Sequence, residues 1–205
     1  MKRHTLSILG ASVLTSLVLS GCNRDRGTEP EPTAAVSTRN HLVWKRYHAV
    51  EQDLSRALEL APDELCTELG RFRCVDEVHL AGLGGHDPFR QGLYEPLSDP
   101  LATTSLALER VALSACGTRV ERDRTDPVVF TALALDEPAP AADSEAFTKT
   151  AQTLYRRLLS RDPEDSEQQA LADLLVDDEG ERLSSAEFAH LACFAVATTT
   201  EFSFI

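Results

Sequence analysis

An uncharged stretch near the start of the chain, Thr5 to Ser20, limits which residues can belong to the folded domain. It follows two basic residues, Lys2 and Arg3, and is rich in leucine and valine. The stretch is shorter than the roughly 20 apolar residues that a membrane-spanning helix needs, and its length fits the apolar core of a secretory signal. We therefore predict that residues 1–21 form a signal peptide and take no part in the folded domain.

Leu19, Ser20, Gly21 and Cys22 end this segment. Their order resembles the lipobox of bacterial lipoproteins, in which small residues precede a cysteine that receives a diacylglycerol before the signal is removed. The resemblance implies that Cys22 is lipidated, carries acyl chains such as palmitate, and anchors the mature chain in a membrane of the cell envelope. By resemblance to enterobacterial sorting, Asn23 after the cysteine favours the outer membrane over the inner one.

The next segment, residues 22–40, begins with the lipidated cysteine and continues NRDRGTEPEPTAAVSTRN. It is polar, contains two Glu-Pro pairs and has no apolar periodicity, so we predict a flexible tether between lipid and domain. The remaining residues, 41–205, are enough for one domain with a hydrophobic core.

The formal net charge is −13, which repels nucleic-acid phosphates and excludes nucleic-acid binding as the function. Basic partners and cations remain open. Aromatic residues make up 6% of the chain and include a single tryptophan, so a carbohydrate-binding platform is a weak hypothesis.

Four cysteines remain once Cys22 is assigned to the lipid: Cys66, Cys74, Cys116 and Cys193. Export to an oxidising compartment such as the periplasm makes two disulfides plausible, and four cysteines allow three connectivities. Local pairing favours Cys66 with Cys74, which leaves Cys116 with Cys193.

Apolar periodicity predicts a mostly α fold, an irregular helical domain without internal repeats. A long amphipathic helix is expected from His41 to Pro62, followed by a short helix that Gly70 closes. A further helix is expected from Leu101, with Gly117 as its C-terminal stop.

Between these helices, residues 71–100 are dense in glycine and proline, which predicts a long structured loop with a short strand at Val75–Leu80. The run VVFTALAL after Asp126 and Pro127 is ambiguous, and we favour a short helix capped by Asp126.

The last third, residues 144–205, is predicted to form a three-helix module. Its second helix should start after Asp162, with Pro163 in the first turn. Its third helix should start at Ser184 with a capping box to Glu187, and its apolar body should be buried. The chain ends with Phe202, Phe204 and Ile205, so we expect this terminus to dock onto the domain or onto a partner.

This module resembles the "LYR-x-LLGR-x-PD … S-x-EF" helical modules of bacterial exported and surface proteins, phycobilisome-linker-like domains and planctomycete cytochrome-associated proteins. Ser160 stands where those modules usually have glycine, and three threonines precede Glu201. The resemblance implies a small packing or assembly module and transfers no catalytic residues. Arg157 or Arg161 is a candidate to pair with Glu201. The residues that carry the resemblance are Tyr155, Arg156, Arg157, Leu158, Leu159, Arg161, Pro163, Glu201 and Phe202.

The loop HLAGLGGHDPF holds the one cluster that suggests chemistry. His79, His86 and Asp87 have metal-ligating side chains, but their spacing matches no zinc motif, and His86-Asp87-Pro88 is typical of a turn. The glycines lack the lysine and hydroxyl of a phosphate-binding loop, and no GxSxG is present.

We accordingly expect no metal, no cofactor and no catalytic residues, although a site defined by geometry alone remains open. The favoured function is a non-enzymatic, lipid-anchored helical domain that binds a protein partner in the cell envelope. The alternative is a metal-binding or enzymatic accessory protein that uses the 71–100 loop.

Overall fold

The structure, a computed structural model, describes residues 42–205. The predicted signal peptide, Cys22 and the tether lie outside the described residues. In chain order the elements are α1 Tyr47–Leu58, α2 Pro62–Leu65, β1 Thr67–Glu68, β2 Phe72–Arg73, a π-helical turn Cys74–Val78, α3 Thr104–Asp123, α4 Glu145–Leu159, α5 Asp165–Ala172, a 3-10 turn Asp173–Leu175, α6 Ser185–Ala197 and α7 Thr200–Ser203. The predicted mostly helical fold class is confirmed.

The last long helix, α6, is central, as its composition predicts. It packs against α3 on one side and α4 on the other, while α1 contacts both α3 and α4. Phe188, Ala192 and Cys193 of α6 are fully buried, and they belong to one continuous hydrophobic core that includes residues of every long helix. The capping box of Ser184 and Glu187 forms at the start of α6 as expected.

Both predicted disulfides are present. Cys66–Cys74 joins cysteines eight positions apart and encloses the two-stranded hairpin, and Cys116–Cys193 joins α3 to α6 across the core. The second bridge ties the middle of the chain to its last long helix, so it holds together the two elements with the most extensive mutual packing.

The first helix is shorter than predicted. It begins at Tyr47 rather than His41, because the backbone of residues 43–45 pairs with the chain end instead of forming helical bonds. It ends at Leu58, where Glu59 takes a left-handed conformation with φ of 50°. His41 lies outside the described residues.

The predicted short helix and strand around the first disulfide are also wrong in detail. Helix α2 stops at Leu65, and Gly70, with φ of 65°, turns the β1–β2 hairpin instead of closing a helix. The segment expected to be a strand at Val75–Leu80 starts within a π-helical turn that begins at Cys74. The sulfur of Cys74 is bonded to Cys66, and its amide donates to the Cys66 carbonyl. From His79 to Thr103 the chain forms the expected long loop without helix or strand.

Gly117 does not end α3. The helix begins at Thr104, three residues after Leu101, and continues to Asp123. Gly117 lies where α3 meets α6, and a Cβ there would be 3.4 Å from two atoms of the His190 ring. The glycine therefore serves close helix packing rather than termination.

The run after Pro127 forms turns rather than the favoured helix. The buried carboxylate of Asp123 accepts hydrogen bonds from the backbone amides of Val128, Val129 and Phe130 at 2.6–3.0 Å. Asp126 is not the cap. Val129 and Phe130 are buried, so their backbone amides need hydrogen-bond partners. The Asp123 carboxylate supplies them, and the segment therefore does not need the hydrogen bonds of a helix.

The three helices of the C-terminal module are α4, α5 and α6. The expected face of α4 is buried through Phe147, Ala151, Leu154, Tyr155 and Leu158. Helix α5 starts at Asp165, two residues after Pro163, because Glu164 serves as its N-cap.

Candidate functional site

The two ends of the described chain pair with each other. The amide of Val43 donates to the carbonyl of Ile205 at 2.9 Å, and the amide of Ile205 donates to Val43 at 2.8 Å. The amide of Lys45 donates to Ser203, and Trp44 faces Phe204 in an antiparallel bridge. The predicted docking of the C-terminus is thus confirmed, and its receiver is the domain's own first residues.

Side chains anchor this pairing to the core. Phe202 is fully buried, and the Lys45 ammonium lies 4.3 Å above its ring. Lys45 is itself 8% exposed and forms a 2.8 Å ion pair with Asp53 of α1. A buried charge with a carboxylate partner and an aromatic face beneath it is compensated, so this lysine is structural.

An apolar groove of about 400 Å³ opens beside the paired ends. Val43 and Ile205 line it from the two chain ends, and His86 and Pro96 line it from the long loop. Trp44 forms part of its wall, and Gly84 allows the close approach, because a Cβ on Gly84 would lie 2.4 Å from the Trp44 ring. The backbone of Gly84 also has φ of 75°, which disfavours any side chain.

Exposed apolar side chains stand at the paired chain ends and in the long loop. Leu42 is 74% exposed and Ile205 69% exposed. In the loop whose ends line the groove, Phe89 is 98% exposed and Tyr94 79% exposed.

The three candidate metal ligands have separate structural surroundings. His79 is half-buried, with Nε2 3.8 Å from Glu68, and burial lowers the pKa of its imidazole. The Asp87 carboxylate accepts hydrogen bonds from the amides of Phe89 and Arg90, which lower its pKa and form the expected turn. His86 is exposed at the apolar groove. Among residues 42–205, no three His, Cys, Asp or Glu side chains are grouped as metal ligands.

The predicted pairing of Arg161 with Glu201 is present, and Arg161 also pairs with a second glutamate. The Arg161 guanidinium donates to Glu201 on α7 and to Glu167 on α5, with contacts of 2.5–2.8 Å. These bonds lower the pKa of both glutamates. Burial raises the pKa of Tyr155, whose ring lies 5.2 Å from the guanidinium. The cluster joins α4, α5 and α7.

Two other residues of the resembling segment explain local geometry. Arg157 pairs with Glu59 rather than Glu201, at 2.8 Å, and so links α4 to the end of α1. Ser160 has φ of 59°, a left-handed conformation that glycine adopts without strain. This chain has a serine at that position.

Within residues 42–205, no helix is long and apolar enough to cross a membrane. Comparisons with protein families, curated proteins and solved structures find no match to the chain.

Proposed function

We propose that this chain is a lipid-anchored protein of the bacterial cell envelope whose helical domain binds a protein partner and catalyses no reaction. The observation that carries the proposal is the order of features in residues 1–22: a basic start, an apolar stretch and the sequence LSGC. The cysteine pairing agrees with it. Cys66, Cys74, Cys116 and Cys193 bond to one another, which leaves the sulfur of Cys22 for a lipid.

The non-enzymatic part of the proposal rests on how the polar groups are used. Arg161, Asp123 and Lys45 each connect separate segments of the fold through ion pairs or hydrogen bonds. His79 and Asp87 serve the loop locally. Such groups stabilise a binding scaffold, and they leave the loop without an assembled set of ligands or proton-transfer groups.

The location is tested by metabolic labelling with a clickable fatty acid, followed by separation of inner and outer membranes. We expect the wild type to be labelled and found in the outer-membrane fraction, as Asn23 favours. Cys22→Ala should abolish labelling. The double variant Cys66→Ala/Cys74→Ala is the matched control and should stay labelled, because its cysteines are used in a disulfide. Equal labelling of Cys22→Ala and wild type would contradict the proposal.

The partner is tested by photo-crosslinking in intact membranes. Crosslinkers placed at Leu69, Leu113 and Val176 sample exposed positions on three different parts of the domain. A binding domain should yield one recurrent protein product from one of these positions, and that product should disappear when a neighbouring exposed residue is made charged. Absence of any protein product from all three positions, in fully acylated material, would contradict a partner-binding role.

A further inference from the structure

A second cavity, of about 390 Å³, has walls from the first turn of α3 and from the paired chain ends. We call it the α3 cleft and define it by Trp44 and Phe204 from the paired ends, Leu83 from the long loop, and Ser105 and Leu108 from α3. Its volume lies in the range of pockets that enclose a small molecule. The cleft is therefore large enough to hold a ligand.

The lining of the α3 cleft is mostly apolar, with hydroxyl groups at its edge. Trp44, Leu83 and Leu108 are buried and form apolar wall. Ser105 and Thr200 line the cleft at exposed positions. Small-molecule sites usually combine an apolar lining with a few polar groups that fix the orientation of the ligand. The cleft therefore suits a ligand with an apolar body and one polar group.

The charge of the lining indicates the sign of that polar group. The chain contains 33 aspartates and glutamates, yet among residues 42–205 none lines the α3 cleft. Two other cavities along α3 differ, because Glu121 lines one and Glu59 lines the other. Lys45 lines the α3 cleft, and its partner Asp53 does not. An anionic group in this cleft would meet no acidic side chain from the described part of the chain.

Helix α3 begins at the cleft without compensation for its positive end. Thr103 gives no side-chain cap, and the first turn contains no acidic residue. The Thr104 amide donates to Leu101, but no acceptor within residues 42–205 is bonded to the amide of Ser105. Amides in the first turn of a helix lack partners within the helix and attract negative charge.

The indole of Trp44 supplies a second, independent observation. Trp44 is 8% exposed, and its N–H is buried without an acceptor among residues 42–205. Buried donors in native proteins nearly always have a partner, so an unpartnered one calls for an explanation. An acceptor group carried by a ligand in the cleft that Trp44 lines would supply this partner.

We infer that the α3 cleft binds a small carboxylate with an aliphatic body. The carboxylate accepts hydrogen bonds at the start of α3, and the aliphatic body covers the apolar wall formed by Leu83 and Leu108. A neutral molecule of the same shape would leave the positive end of the helix uncompensated. This binding function is separate from the lipid anchor at Cys22 and does not depend on it.

Octanoate and octanol are the probes, because they share an aliphatic body and differ in charge. Trp44 is the single tryptophan of the chain and lines the cleft, so its emission reports occupancy. The mature protein, isolated from cells that express the full chain, is titrated with each probe. We expect a saturable change in emission with octanoate, and binding of octanol that is weaker by about fivefold or more.

Two variants fill the cleft from positions that line it, Ser105→Phe and Ala102→Phe. Leu113→Phe is the matched control, since Leu113 is exposed on α3 and is not part of this lining. We expect both filling variants to lose the octanoate response and the control to keep it. Urea unfolding of each variant shows whether it is folded, and either filling variant alone suffices for the test.

A second pair of variants tests the charge at the start of α3. Ser105→Asp places a carboxylate in the first turn, and Ser105→Asn is its neutral control of the same shape. We expect Ser105→Asp to bind octanoate about fivefold more weakly than Ser105→Asn, with no difference for octanol.

Four results would overturn the inference. The first is the absence of a saturable response to octanoate, and the second is equal affinity for octanoate and octanol. The third is octanoate binding that persists in a folded filling variant. The fourth is equal octanoate affinity in Ser105→Asp and Ser105→Asn.

Discussion

Val43 and Ile205 exchange two backbone hydrogen bonds, so the first and last segments of the described domain form a single small pairing. Strands at domain ends usually fray unless they are tied down. Here the ends hold each other, and the fully buried Phe202 ties both to the core.

Phe202 should carry most of the stability contributed by the C-terminal segment. Phe202→Ala should lower the free energy of unfolding by about 3–5 kcal/mol, because it removes a fully buried ring. Ile205→Ala, at a residue that is 69% exposed, should change it by less than about 0.5 kcal/mol. Urea unfolding of the two variants measures the difference. Similar values for both would show that the tail is not part of the core.

Gly84 should be intolerant of a side chain for a reason that Gly92 lacks. Both glycines have positive φ, so alanine at either costs about 1–2 kcal/mol of backbone strain. Only at Gly84 would the Cβ meet the Trp44 ring, which adds about 1–3 kcal/mol of overpacking. Gly84→Ala should therefore unfold at lower urea than Gly92→Ala and shift the Trp44 emission maximum. An unshifted emission spectrum in Gly84→Ala would contradict the packing described.

The two disulfides should contribute unequally. Their cysteines are 8 and 77 residues apart in sequence, and the longer loop restricts the unfolded chain more. In the chain-entropy description, Cys66→Ala/Cys74→Ala costs about 2.5 kcal/mol and Cys116→Ala/Cys193→Ala about 4.5 kcal/mol. Both double variants are compared by denaturant unfolding under oxidising conditions. The reverse order of stabilities would contradict this account.

The ion pairs of Arg161 with Glu167 and Glu201 should make the free energy of unfolding depend on pH. The hydrogen bonds of Arg161 hold the pKa of Glu167 and Glu201 below the 4.5 of a free glutamate. Their contribution is therefore complete above that pH and lost as the pH falls through the lowered values. Glu201→Gln should lose less stability on acidification than the wild type, by up to about 1 kcal/mol because the pair is partly exposed.

Glu179→Gln is the control for this titration, since the Glu179 side chain is exposed and has no ion pair among residues 42–205. Glu179→Gln shows the effect of removing one exposed carboxylate that takes no part in the Arg161 cluster. Unfolding free energies of the three proteins, measured from neutral pH to well below 4.5, decide the matter. Identical acid profiles for wild type and Glu201→Gln would show that the cluster adds nothing.

The sequence predicted those parts of the fold that depend on residues close to one another in the chain. The Ser184–Glu187 capping box and the apolar spacing of α4 depend on neighbouring residues, and both predictions are confirmed. The cysteine pairing was also predictable. Cys66 and Cys74 are close in sequence, and once they are paired, only the bond between Cys116 and Cys193 remains.

The wrong predictions concern segments whose backbone is satisfied from elsewhere in the chain. Residues 43–45 continue a helical pattern, but their hydrogen bonds go to residues 203–205, far away in sequence. The Asp123 carboxylate accepts hydrogen bonds from the amides of residues 128–130, and no local sequence motif indicates that arrangement.

The central claim, that the mature protein is anchored through a lipid on Cys22, is tested most directly by mass spectrometry of its N-terminal peptide. The protein is isolated from membranes of cells that express the full chain. The account predicts that the peptide begins at Cys22 and carries a diacylglyceryl mass on that residue. A mature peptide that begins elsewhere, or a peptide beginning at an unmodified Cys22, would contradict it.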